Sequence, residues 1–424
     1  MKFDFNLEDK PTLGVFIING LQWFVIIIPI IIIVSKIISI TFSVDTEGEL
    51  LYVQKLTLIV SISIFLQILL GHKLPIIPGP ATVLLVGIVS SEAFNISSIY
   101  TALLLGSILL SLLGITNVIK YMLKLFTKNI ITVVLILIAF AMLPTVINLI
   151  EKPIGLPVYC NFLIAFFIFI LLFLLENKLK GFWQNSLILW TILVGTLIFS
   201  LIGGKHNNNM EPVFFNLAFF KGYLSSLWFD PALIFSFIIC YLALAVNDVG
   251  SISSVATFVK AKEDKGRVKR GVFVTGFTNF ISSMLGTIGV VNYSFSPGII
   301  MITKCASKYV LLFTASLLFI ISFSPYLISF VQLIHPFIIG IVFFYIMASQ
   351  TGAGFYLLFE DKNFEYRDGV IVGFSVMLGT LMAFMPESIT TTYPNFLMPF
   401  LSNGFVIGVV FAFILEHLIY KKTK

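Results

Sequence analysis

The sequence predicts an all-α integral membrane protein: about 14 transmembrane segments in two inverted seven-segment repeats, with short half-helices third and tenth, each preceded by an extended strand. Three observations carry this expectation. Of 424 residues, 58% are hydrophobic and only 11% are charged, a balance that a soluble domain does not have. About twelve apolar runs are long enough to span or nearly span a bilayer. Two further segments, broken by proline and glycine, fall third and tenth in the series.

The runs lie at about 13–38, 56–71, 97–118, 130–149, 157–175, 185–203, 232–259, 271–288, 309–330, 335–358, 369–385 and 398–419. Residues 13–203 make the first repeat and 232–419 the second. The formal charge of +6 comes from Lys and Arg gathered in short loops, which is topogenic bias and not a nucleic-acid footprint. With the N-terminus inside, the cytoplasmic loops carry Lys120, Lys124 and Lys128, then Lys178 and Lys180, the run Lys260 to Arg270, Lys304 and Lys308, and the C-terminal lysines. The opposite loops, Asp45 to Glu49, Glu151 to Pro153 and Asn207 to Asn209, are acidic or nearly neutral. Both termini are therefore expected in the cytoplasm. The N-terminal stretch has no basic n-region or cleavage site, so the first apolar run is expected to stay in the mature protein.

The two irregular segments are Lys73 to Ser91 and Val290 to Lys304. An odd number of spans per repeat inverts the second copy, and the two segments share one design. Extended residues come first, Pro75-Ile76-Ile77-Pro78 in one and Val290-Val291-Asn292-Tyr293 in the other. Then a helix opens at proline, at Gly79-Pro80 and at Ser296-Pro297-Gly298 with Ser296 as N-cap. Extended backbone at membrane depth survives only inside protein or beside a cavity. Helix starts facing such a cavity offer free N–H groups to a carbonyl or anion.

Polar residues concentrate on the spans beside the second half-helix. On the eighth, Asn247, Gly250, Ser251 and Ser254 share a face. On the ninth, Thr275, Thr278, Asn279, Ser282, Ser283 and Gly286 repeat the spacing, and there tight helix packing is the favoured role. Asp248 is the acid well inside this region. An acid at that depth is a functional candidate by default and suits a group that binds and releases a proton; a cap or ion pair at the helix end is the alternative. The expected substrate contacts are Asn247, Ser251 and Thr82, the backbone at Gly79, Ala81, Ser296 and Gly298, and Phe295, whose ring could stack on a flat solute.

These residues resemble those of the nucleobase/ascorbate transporter family, the xanthine and uracil permeases. The resemblance rests on Leu21-Gln22, Pro75 to Pro80, Asn247-Asp248-Val249-Gly250, Thr278-Asn279-Phe280 through Gly286-Thr287, and Pro297-Gly298-Ile299-Ile300-Met301-Ile302-Thr303-Lys304-Cys305-Ala306-Ser307. It implies a core of spans 1–4 and 8–11, a gate of spans 5–7 and 12–14, and a nucleobase bound between half-helices three and ten. Proton or sodium coupling, a homodimer and a place in the plasma membrane are implied with it. Family members commonly carry Glu where Asn247 stands, and Glu or Gln then Asn where Phe295 and Ser296 stand. The motif near span twelve is reduced to His335-Pro336-Phe337-Ile338-Ile339-Gly340.

Two other function classes bear on the same residues. A small-anion carrier of the same architecture, resembling the sulfate permeases, fits the absent acids and the paired helix starts; a binding protein that no longer transports has the same signature. An enzyme would need a nucleophile and base or a metal cluster at membrane depth. His72, His206, His335 and His417 stand at span ends or in loops and read as interfacial residues, and Cys160, Cys240 and Cys305 lie far apart in apolar sequence. No cofactor or metal is expected.

Overall fold

The computed structural model describes residues 3–116, 125–152, 157–179, 183, 187–202, 227–262, 264, 266–293, 296–329, 334–359, 364–386, 389, 401 and 403–420. Phe295, Lys120, Lys124, Lys180, Pro153, His206, Asn207 to Asn209 and the terminal lysines, all named above, lie outside them. The chain is a multi-pass helical membrane protein, and seven described helical stretches, with Lys128–Ile150 taken as one, are long and apolar enough to cross a bilayer.

The helices follow the apolar runs: α1 Leu13–Thr41, α2 Thr46–Leu69, α3 Thr82–Val89, α4 Ile96–Ile115, α5 Lys128–Ala141, α6 Leu143–Ile150, α7 Val158–Lys178 and α8 Leu187–Ile202. After these come α9 Pro231–Phe258, α10 Arg267–Met284, α11 Ser296–Thr303, α12 Val310–Ser322, α13 Pro325–Ile328, α14 Pro336–Phe359, α15 Tyr366–Ala383 and α16 Gly404–Ile414, which runs on into a π turn at Leu415–Ile419. Two expected runs divide. The run at 130–149 breaks at Met142, ahead of Pro144 in the first turn of α6, and the run at 309–330 breaks before Pro325.

One boundary is corrected. Asp45 to Glu49 is not a loop: Asp45 is the N-cap of α2, accepting from the Gly48 amide at 2.9 Å, and Glu47 and Glu49 occupy its first turn. Glu49 is buried against Lys36 of α1 at 2.7 Å, so acids that look loop-like in the sequence extend the helix and pair across it.

Packing gathers the helices into two sets. α4 lies against α9 and α10, α2 against α10 and α12, and α1 against α2 and α12. The α4–α10 crossing is close because Gly114 faces the backbone of Phe273 and Gly276 that of Ser111, where a methyl group would collide. In the second set, α14 packs on α5, α6, α7 and α8, and α15 packs on α5 and α16. Its polar fastening is Asn129, which donates to Asp368 and Glu416, both at 2.9 Å, while Arg367 pairs with Glu416 at 3.0 Å. α7 is mostly exposed, with Phe166 and Phe167 turned outward as on a lipid-facing helix.

Within the first set, packed on α1, α2, α9 and α10, lies a two-stranded antiparallel ribbon, β1 Pro78–Pro80 with β2 Val290–Asn292, in register Pro78↔Asn292, Gly79↔Val291 and Pro80↔Val290. The Tyr293 amide donates to the Ile77 carbonyl at 3.1 Å and the Ala81 amide to the Gly289 carbonyl at 2.9 Å. Antiparallel ladders exchange bonds at alternate pairs, so Gly79 and Val291 form the pair between these two. Pro78 and Pro80 then fall where no ladder donor is lost. Outside the helices, residues 3–9 run along the segment after α11: Phe5 bridges Cys305, and Lys308 pairs with Glu8 at 2.6 Å.

Candidate functional site

The ribbon brings the starts of α3 and α11 together, as the two matched segments predict. The helix starts differ in detail. α3 opens at Thr82 with Ala81 as N-cap, two residues beyond the expected proline, because Pro80 is held in the strand. Ser296 is the first residue of α11, and its hydroxyl donates to the Tyr293 carbonyl at 2.9 Å and accepts from the Ile77 amide at 3.4 Å. It latches the two crossing segments instead of capping a free helix end.

A cavity of about 620 Å³ opens beside the ribbon. One wall is built by α1 at Val25, Ile26 and Ile30, by Thr82 and Val83 of α3, by Ala243 and Asn247 of α9, and by Val291, Tyr293 and Ile299. The facing wall comes from α5 at Val134, Leu135 and Ile138, from Glu176 of α7, Ile188 of α8, and Tyr345, Ile346, Ser349, Gln350 and Ala353 of α14. The lining is mainly apolar with a few polar groups, the usual make-up of a small-molecule site. The first amides of a helix have no intrahelical partner, which leaves those of Thr82 and Val83 at the cavity. Gln350 donates to the Leu135 carbonyl at 3.2 Å, and Tyr345 and Glu176 stand close enough to interact electrostatically.

Of the residues expected to meet a solute, Asn247 and Thr82 are on this wall. The others do different work. The Ala81 amide is consumed by Gly289 and the Gly79 backbone by the ladder. Gly79 also lies beneath the Tyr293 ring, whose hydroxyl donates to the Pro80 carbonyl at 2.8 Å. Ser251 is buried and donates to the Asn247 carbonyl at 2.9 Å. Ser296 is off the cavity lining, Gly298 is the third residue of α11, and Phe295 is outside the described residues.

Asp248, one residue beyond Asn247 and about 100° round the helix, points behind the ribbon. It is fully buried. Its carboxylate accepts from Thr275 Oγ1 at 2.8 Å, Asn292 Nδ2 at 2.7 Å and the Asn292 amide at 3.1 Å. Gln67 Nε2 donates to the same Thr275 hydroxyl at 2.9 Å. Asn292 Oδ1 lies 3.2 Å from His72 Nε2, and His72 Nδ1 accepts from the Leu74 amide at 3.0 Å. These partners fix His72 as the neutral tautomer protonated on Nε2. His72 is therefore not interfacial: it is fully buried, and it supports β2 through Asn292. His335 instead accepts from the Phe337 amide at the start of α14, and half-buried His417 meets the Leu125 carbonyl. The polar face of α10 has the packing role favoured for it, with Asn279 Oδ1 accepting from the Val290 amide at 2.6 Å and Ser282 bonded to Thr287 and Ile288. Cys240 and Cys305 are buried and all three cysteines are free.

The groups missed from sequence are on the second wall. Ser349 and Gln350 interrupt the apolar run at 335–358, which is a readable signal, whereas Glu176 beside Asn177 and Lys178 passes for an ordinary span end.

"Putative purine permease YwdJ" of Bacillus subtilis (strain 168) is 26% identical over 420 residues, covering 93% of this chain and 94% of that protein. The xanthine permease of the same organism is 21% identical, covering 88% and 89%. In fold, the transmembrane domain of a cyanobacterium bicarbonate transporter, BicA, superposes with a TM-score of 0.62 at 13% identity, covering 89% of this chain and 98% of that one. The sequence pattern of the permease family (Xan_ur_permease) matches residues 14–388, and the chain belongs to that family of xanthine and uracil permeases.

Proposed function

We propose that the protein is a secondary transporter that carries a nucleobase, or a similar small planar solute, across the plasma membrane by alternating access. Fourteen segments in two inverted repeats form a core of spans 1–4 and 8–11 and a gate of spans 5–7 and 12–14, which slide or rock against each other. Both termini are cytoplasmic and the working unit is a homodimer. The observation that carries this reading is the position of the cavity, walled on one side by the ribbon, α3 and Asn247 and on the other by α5, α7 and α14. A solute held there touches both sets of helices, so a change in their relation changes its access. Apolar faces suit a flat ring, Asn247 can donate and accept along its edge, and Thr82 adds a hydroxyl at a helix start.

Proton coupling is assigned to Asp248. Thr275 Oγ1 lies 3.1 Å from the Gly271 carbonyl as well as 2.8 Å from Asp248. Rotation of that hydroxyl toward Gly271 lets a protonated Asp248 donate to Thr275, so the network accommodates either state without a stranded polar group. The Glu176 carboxylate in the cavity wall favours the nucleobase over a small anion.

Uptake of radiolabelled xanthine, hypoxanthine and uracil into proteoliposomes tests the reading, with competition by bicarbonate and sulfate. Saturable nucleobase uptake that these anions leave untouched is expected. Uptake of bicarbonate or sulfate without any nucleobase flux refutes it.

A further inference from the structure

The cavity is chemically lopsided. On the side of α3 and α9 stand donors, namely the Thr82 hydroxyl, the amides at the start of α3 and the side-chain amide of Asn247, which also accepts. Across the space, Glu176 is the acid of the described lining, and as a carboxylate it only accepts. Tyr345 stands beside it on the same wall. Asp248 contributes nothing to this surface, being enclosed by Thr275 and Asn292.

We infer that Glu176 is a substrate-reading group, accepting one N–H of the solute while Asn247 and the start of α3 take its carbonyl edge. This rests on the nucleobase reading and deepens it. The class of solute selected is a neutral ring with a ring N–H on one edge and a carbonyl on the opposite one, the pattern of oxidised purines. A solute without that N–H forgoes this charge-assisted bond, and an anion is repelled by the carboxylate. Because Glu176 and the ribbon belong to different helix sets, the bond to Glu176 is made in one arrangement of the sets and broken when they move apart. That gives the site unequal affinity in its two states, which alternating access with release requires.

The test measures binding of xanthine and of xanthines methylated at one ring nitrogen at a time to purified wild-type protein, E176Q and Y345F. In the wild type, methylation at one nitrogen is expected to weaken binding about 10-fold or more, the scale of a lost charge-assisted hydrogen bond. E176Q should bind xanthine more weakly by a similar factor and no longer distinguish that nitrogen, since the coupling between the two changes is the signature of contact. Y345F should reduce the same discrimination by a smaller factor, and it serves as the test if E176Q does not fold. Variants that weaken every analogue equally, or that leave the nitrogen profile unchanged, overturn the assignment of Glu176 while leaving the nucleobase reading intact. A wild type that binds no purine overturns both.

Discussion

Replacing Asp248 separates its structural work from its proposed coupling work. Asp248→Ala leaves Asn292 Nδ2 and the Asn292 amide without their acceptor, while the Thr275 hydroxyl can turn to the Gly271 carbonyl. Each buried donor left unsatisfied costs about 1–3 kcal/mol, so two cost about 2–6 kcal/mol. The upper part of that range overlaps the whole stability of a typical domain, about 5–15 kcal/mol, and Asp248→Ala is expected to lower the yield of folded protein. Asp248→Asn behaves differently. Its oxygen can still accept from Asn292, and its amide can donate to Thr275 once that hydroxyl turns to Gly271, 3.1 Å away. The loss is then the charge-assisted part of the bonds, about 1–2 kcal/mol, and the variant should fold with a modestly lower unfolding temperature in detergent. The substituted amide imitates the protonated acid permanently. In proteoliposomes this variant should retain exchange of substrate across the membrane but lose accumulation driven by an imposed pH gradient. Wild-type accumulation by Asp248→Asn would remove Asp248 from coupling, and an Asp248→Ala protein as stable as wild type would refute the network energetics.

Three further substitutions probe other parts of the structure. Asn247→Ala should weaken nucleobase binding about 10-fold, as measured by calorimetric titration, because the side chain is on the cavity wall. Gly79→Ala should destabilise the protein by about 1–3 kcal/mol in thermal unfolding, since the new methyl meets the Tyr293 ring and comes within 2.6 Å of Ile27. Lys36→Met alone should cost about 3–5 kcal/mol by stranding buried Glu49, whereas Lys36→Met with Glu49→Leu should recover most of it, which denaturation of the two variants side by side will read.

Much of the fold was legible because lipid imposes simple rules. A run such as 232–259 has no structure available to it in a bilayer except a helix, and α9 spans Pro231–Phe258. Pro75 to Pro80 could not continue a helix, which made it an extended crossing whatever its partner. The acids of 45–49 misled because charge density reads as a loop, while their pairing with Lys36 depends on a neighbouring helix that no local pattern reveals. His72 misled in the same way: its position at the end of an apolar run suggested an interface, and only the path of β2 shows that Asn292 lies against it.

The site was half legible, and the half that was missed has a common cause. Asn247 and Thr82 belong to segments whose polarity is conspicuous against hydrocarbon, so sequence alone could select them. Sequence could not say that the backbone of Gly79 and Ala81 would be occupied, because strand pairing between residues over two hundred positions apart consumes it. Glu176 lacked contrast: an acid next to Lys178 at the end of an apolar run looks like solvated punctuation. What changes its meaning is α14, which places Tyr345 against it and closes the wall opposite Asn247. A binding surface shared by two helix sets is a property of their juxtaposition. Its second half belongs to whichever residues the packing turns inward, however ordinary their local sequence.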